Sequence, residues 1–251
     1  MVYNRKQLNK QHKHISKTME RHFEIELDKL NRRLNKMGNL VASQVRQTMF
    51  ALTECNAELA REIIDLDNKV DELDVKIDKL CQRIFALTQP VATDLRLIMA
   101  SLKINNDLER MADHAAGIAR KIEGITDFKE FIYEFKIDEV ASLTNIIVND
   151  VVSILTSRNT VFVKDIFDAS ATIKDKAQSI SAAIVEEMTK KSDVIVVATN
   201  LILVLTQMER IAGYSTNIAE SVIFLVEGRV IKHSRLFKDE PESPVAEEDL
   251  S

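Results

Sequence analysis

DLERMADHAAGIA, residues 107–119, returns as QMERIAGYSTNIA at 207–219, so that each residue of the first run has its counterpart 100 positions later. A period of this length exceeds the roughly 20–50 residues of solenoid units and implies two copies of a several-helix unit. The copies differ at one informative place. Glu109 and Asp113 stand one helical turn apart, whereas in the second copy Glu209 is followed by Gly213. One half keeps a pair of stacked carboxylates, and the other has lost a partner.

The rest of the chain reads as helix. Five glycines and three prolines in 251 residues leave little turn chemistry, and long helices are the economical explanation. Leu27, Leu30, Leu34, Met37, Val41 and Val45 are spaced by threes and fours, predicting a helix over about 20–52. Ile63, Leu66, Val70, Leu73, Ile77, Leu80 and Ile84 predict a second over 56–88, ended before Pro90. A third runs from about 91 to 122, before Gly124, and three more are expected at 138–157, 161–190 and 193–227, the last stopped by Gly228. The expected fold is all-α: two tandem three-helix bundles, up-down-up, six long helices with a pseudo-twofold internal repeat. The chain then divides into a flexible basic arm (1–20), a first bundle (21–125), a second bundle (126–230) and a disordered acidic tail (231–251).

Composition narrows the function. A net charge of −5 argues against nucleic acid as the main ligand, because phosphate binding needs a clustered basic surface. Basic residues gather at the start, in Arg5, Lys6, Lys10, Lys13 and Lys17, a solvated arm or at most a peripheral contact with an anionic membrane or partner. No apolar stretch follows them to make a signal peptide. The most apolar run, 194–208, is interrupted by polar residues and falls short of the roughly 20 residues a bilayer needs. Cys55 and Cys81 form no metal-binding spacing and read as reduced thiols of a cytoplasmic protein.

The third helix places carboxylates where a core stripe runs. At 100° per residue, Leu95, Ile98, Leu102, Glu109, Asp113 and Ala116 fall within about 40° of one line. On the second helix Asp67, Asp71, Asp74 and Asp78 form a stripe on the flank of the apolar face. Asp74 and Asp78 read as a solvated edge, whereas Asp67 and Asp71 are placed to converge with Glu109 and Asp113. Like charges on an exposed helix cost only about 0.2–0.5 kcal/mol, but uncompensated carboxylates on a buried stripe cost several. They must be protonated, paired with Arg or Lys, or neutralised by a cation. Arg110 projects about 100° from Glu109, an awkward partner. Oxygen-only ligation suits a divalent or trivalent cation such as iron, manganese, magnesium or calcium better than zinc. In the second half, aligning Ile173 with Val70 puts Ser170 and Lys174 at the places of Asp67 and Asp71. An internal Glu209–Lys174 pair without metal is expected there.

The sequence resembles the PhoU family, regulatory proteins of bacterial phosphate transport, in KMGNLV (36–41), LDNKVDELD (66–74), QPVATDLRLIMASLKI (89–104), LERMADHAAGIA (108–119) and MERIAGYSTNIAESVIFLVEG (208–228). The resemblance covers about residues 20–230. It implies metal ligation by Asp67, Asp71, Glu109 and Asp113, with Asp94 a weaker candidate, in the first half only. It further implies a cytoplasmic, non-enzymatic adaptor between a phosphate ABC transporter ATPase and a sensor histidine kinase, restraining uptake and the starvation response, and a homodimer by analogy. Two rival readings stand beside it. One is an accessory protein of another phosphate permease, or a plain scaffold with ion-paired acids. The other is a ferritin-like carboxylate-bridged metal enzyme, but such bundles use Glu-x-x-His pairs. Here Glu109 is followed by Ala112, and His114 lies off the seam as a surface or interhelical hydrogen-bonding residue.

Overall fold

The computed structural model describes residues 5–87 and 90–231, with the side chains of residues 23–87 and 90–231. Six long helices carry the fold: α1 (Arg5–Glu54), α2 (Ala57–Leu87), α3 (Ala92–Ile122), α5 (Ile137–Ser157), α6 (Val163–Lys190) and α7 (Ile195–Glu227). A 3-10 turn at Glu123–Phe128 and the short α4 (Lys129–Glu134) join the halves. No strand occurs among the described residues. The expected all-α fold of two three-helix units is the observed one.

Backbone chemistry explains where the helices stop. Cys55 adopts a left-handed φ of 52°, its N–H donates to the Leu52 carbonyl and that of Asn56 to the Ala51 carbonyl. This pair of bonds is a Schellman cap. Asn56 Oδ1 then accepts from the Leu59 N–H at 3.0 Å and opens α2. Gly228, at φ 72°, closes α7 in the same left-handed way. At the other end the first helix begins earlier than the expected residue 20, since α1 runs unbroken from Arg5. Between Arg5 and Glu54 there is no proline and one glycine, and Lys, Gln, Arg and Glu sustain a helix well. The expected acidic tail and the residues just before Pro90 lie outside the described residues.

The repeat is visible in burial. Leu34, Met37, Val41, Val45, Met49 and Leu52 of α1 correspond to Ile137, Val140, Thr144, Val148, Val152 and Leu155 of α5, and all twelve are buried. Ala60, Ile63, Val70 and Cys81 of α2 correspond in the same register to Val163, Ile166, Ile173 and Ile184 of α6, buried likewise. The two units share one continuous core. Helices α1, α3, α7 and α5 contact one another in a closed ring, and α2 and α6 pack outside it, on α1 with α3 and on α5 with α7.

The broadest helix contact is between α3 and α7. They run antiparallel: Asp107 bonds Asn217, Gly117 faces Gln207 and Gly124 faces Asn200. A Cβ on Gly117 would stand 2.9 Å from Gln207 Nε2, so the small residue permits the approach. Where the helices cross, His114 stacks on Tyr214, its repeat counterpart, with ring centroids 5.6 Å apart. The pseudo-twofold axis passes through this contact. By length and composition alone α5 and the segment 192–227, which extends beyond the 194–208 run, would be long and apolar enough to cross a membrane. Both instead pack against neighbouring helices, with 50% and 44% of their apolar windows buried.

Candidate functional site

Helices α2 and α3 lie side by side, and their shared edge carries a ladder of oxygens. From α2 come Asp67, Asp71, Asp74 and Asp78; from α3 come Asn105, Glu109 and Asp113. Asp67, Asp74 and Asp78 are half-buried and Asp71 is exposed. The side chains of Glu109 and Asp113 are 24% and 45% exposed. The α1 helix, packed against both, contributes Gln44 from the floor.

Two buried amides organise the ladder. Gln44, fully buried, donates through Nε2 to Asp67 Oδ1 at 3.2 Å and, at 3.5 Å, to the Ala112 carbonyl. Asn105, also fully buried, donates through Nδ2 to Asp74 Oδ1 at 2.7 Å and to Asp78 Oδ1 at 3.2 Å. Each amide donates to a carboxylate and to a backbone carbonyl, and leaves its own oxygen, Gln44 Oε1 and Asn105 Oδ1, buried without a hydrogen-bond partner. An orphaned buried acceptor costs about 1–3 kcal/mol. The fold tolerates this twice on one seam.

The carboxylates feel one another. Burial raises the proton affinity of Asp67; the Gln44 bond opposes it, the charges of Asp113 and Asp71 add to it, and Arg120 opposes. Burial raises Glu109, followed by Asp113, with Arg110 opposing and Asp74 and Asp71 adding. Asp74 is raised by burial and then by Asp78 and Asp71. Repulsion along the seam thus links α2 to α3, a field that a cation would satisfy.

Four expectations are corrected by this geometry. The acids sit at a half-exposed edge and not at an interior point, because the stripe at Glu109 and Asp113 rotates toward the rim of α3. Among the described residues no three Asp, Glu, His or Cys side chains close on a common point, so the carboxylates stand apart as drawn. Arg110, expected to be an awkward partner, reaches both Glu109 and Asp113 at 3.5 Å by folding its flexible stem back over the turn. No Glu209–Lys174 bridge forms among the described residues; Lys174, like Asp71 at the equivalent place, is exposed. Asp94, in the first turn of α3, stands about 22 Å along the helix from Glu109 and does not join the group. His114 behaves as expected, bonding Gln207 Oε1 through Nδ1.

Periodicity read only for apolar residues passed over Gln44, Asn105 and Asp107, although each falls on a core stripe. Asp107 is buried between α3 and α7, and its carboxyl is pushed up to about 6 by burial, against the pull of Lys103 and the Asn217 bond and with the push of Glu220.

The second half serves as an internal control. In the register that superposes the buried residues, Gln44 becomes Ile147, Asp67 becomes Ser170, Asp71 Lys174, Asp74 Ala177 and Asp78 Ser181. On the last helix Asn105 becomes Leu205 and Asp113 becomes Gly213, while Glu109 alone keeps its counterpart, Glu209. Ile147, Ala177 and Leu205 are buried in the core. The same three-helix frame therefore stands without the oxygen ladder.

Comparison with known proteins agrees with this two-unit reading. The PhoU domain model matches residues 34–122 and 137–222, one match per unit. The chain is 32% identical over 211 residues to the phosphate-specific transport system accessory protein PhoU homolog of Aquifex aeolicus, covering 84% of this chain and 96% of the relative. To the Pseudomonas aeruginosa homolog of the same description it is 29% identical over 224 residues, covering 88% and 93%. In three dimensions it is similar to the crystal structure of PhoU from Pseudomonas aeruginosa, with a TM-score of 0.77, 28% identity and coverage of 82% of this chain and all of that one. The phosphate transport system regulatory protein PhoU from Streptococcus pneumoniae gives 0.72 at 25% identity, over 84% and 99%.

Proposed function

This chain belongs to the PhoU family, and we propose that it is a non-enzymatic accessory protein of a phosphate transport system, whose first half binds an oxygen-ligated metal cation. The observation that carries the metal reading is the asymmetry between the halves. Two orphaned amide oxygens coincide with mutually repelling carboxylates on one seam, at places where the second half holds Ile147 and Leu205; among the described residues the second half has a single orphaned amide oxygen, that of Asn145 on α5. A feature that weakens the fold, and that the same frame does without, is accounted for by a ligand. Asp67, Asp71, Glu109 and Asp113 would hold a hard cation with modest side-chain rotation, since three of the four are partly exposed and Asp71 is exposed. The cation would supply positive charge between α2 and α3, relieving the repulsion that raises Asp67 and Glu109.

The protein acts in the cytoplasm as a homodimer, holding a transporter ATPase and a sensor histidine kinase in contact when phosphate is plentiful. Its long, continuous helix surfaces suit contact better than turnover. Affinity purification from phosphate-replete cells tests the reading. Transporter ATPase and kinase are expected to co-elute with the wild-type chain, and less of both with the Asp71→Asn/Glu109→Gln/Asp113→Asn variant. Elution of neither partner with the wild-type chain contradicts the adaptor role, and sustained aerobic ferroxidase turnover contradicts the non-enzymatic one.

A further inference from the structure

Helix α2 carries opposite charge on its two flanks. The acidic ladder faces α3, and about 140° around the helix Lys76, Lys79 and Arg83 face α1. There, with Lys29 and Arg33 of α1 and with Leu80 as floor, they line a cleft of about 310 Å³. Five of its six lining residues are cationic in a chain of net charge −5.

Two of these charges are cancelled in place. Lys76 pairs with Glu72 at 2.8 Å, and Arg83 pairs with Glu26. Arg33 donates through Nη1 to the Lys76 carbonyl at 2.7 Å, a bond that fixes the guanidinium across the cleft and leaves its charge uncompensated. Lys29 and Lys79 form no ion pair among the described residues. Three positive charges thus stand unopposed over a floor residue only 2% exposed. The cations of α2 are not repeated in the second half, although Arg33 keeps a basic counterpart in Lys136. At the places of Lys76, Lys79 and Arg83 the second half has Ser179, Ala182 and Glu186.

We propose that this cleft binds a soluble polyphosphate anion, two or three linked phosphate groups, either free or as the tail of a nucleotide. Three uncancelled cations match an anion of about that charge, and the volume, at the lower end of the roughly 300–1,000 Å³ of ligand pockets, has room for more than one phosphate group. Arg33 supplies a planar fork suited to phosphate oxygens, and the two lysines supply mobile point charges. The cleft lies on the opposite flank of α2 from the proposed metal seam.

Isothermal titration of the full chain at about 0.15 M salt tests it, in metal-free buffer so that chelation at the carboxylates contributes nothing. Orthophosphate, pyrophosphate, tripolyphosphate and ATP are compared, with flotation on phosphatidylglycerol vesicles as a parallel arm. The expected result is saturable 1:1 binding of tripolyphosphate or ATP at least tenfold tighter than orthophosphate. Lys29→Gln/Lys79→Gln, with an unchanged melting curve, is expected to weaken it at least tenfold, and Lys174→Gln in the second half to leave it unchanged. No saturable binding, equal affinity for orthophosphate, insensitivity to the double substitution, or capture by vesicles alone would each overturn the proposal.

Discussion

Gln44 and Ile147 occupy the same place in the two halves, both fully buried, and only Gln44 leaves an acceptor unpaired. Exchange of one for the other separates stability from ligand binding. Gln44→Ile removes the orphaned oxygen and adds apolar contact, while Asp67, half-exposed, regains water in place of the amide. The fold is expected to gain about 1–2 kcal/mol. Urea unfolding with an unchanged slope checks this. At this scale the sequence was legible only in part. Carboxylates on a stripe stand out because charge there has no bland explanation. Gln44 and Asn105 do not stand out, because a neutral amide is at home on either face of a helix until burial is known.

Among the elements, α3 and α7 carry the join between the units, and Ala112 and Ala212 lie buried on these helices near the stacked His114 and Tyr214. Ala112→Leu adds three carbons with nowhere to go. It is expected to cost about 1–3 kcal/mol, and more than the same change at an exposed alanine such as Ala182, as measured by thermal unfolding. The helices themselves were readable in the sequence, since scarce glycine and proline leave the apolar period uninterrupted. Turns were not readable in detail. The left-handed residue that ends α1 is Cys55, a residue type with no preference for that conformation, held by the two carbonyls of its cap. The start of α1 was misplaced for a related reason: polar residues without an apolar period still sustain a helix once a packed segment nucleates it.

For the whole molecule, Asp107 ties one half to the other through Asn217, and its raised carboxyl makes the join sensitive to pH. Burial pushes its folded-state value up to about 6, above the ordinary 3.8 of an aspartate, so the protonated form is favoured by folding. That contribution is complete below about pH 3.8 and is lost as pH rises through about 6. Asp107→Asn keeps a bonding partner for Asn217 without the charge. It is expected to stabilise the chain by about 1–2 kcal/mol at pH 7 and to flatten stability between pH 4 and 6, measured by denaturant titration across that range. The division of labour between the halves rests on the seam of α2 and α3. Manganese(II) titration followed by paramagnetic resonance, with elemental analysis of the untagged protein, tests it most directly. Tight binding by the wild-type chain and by Glu209→Gln, with loss in Asp71→Asn/Asp113→Asn, is the result predicted. Absence of bound metal, or binding that survives loss of Asp71 and Asp113, would contradict it.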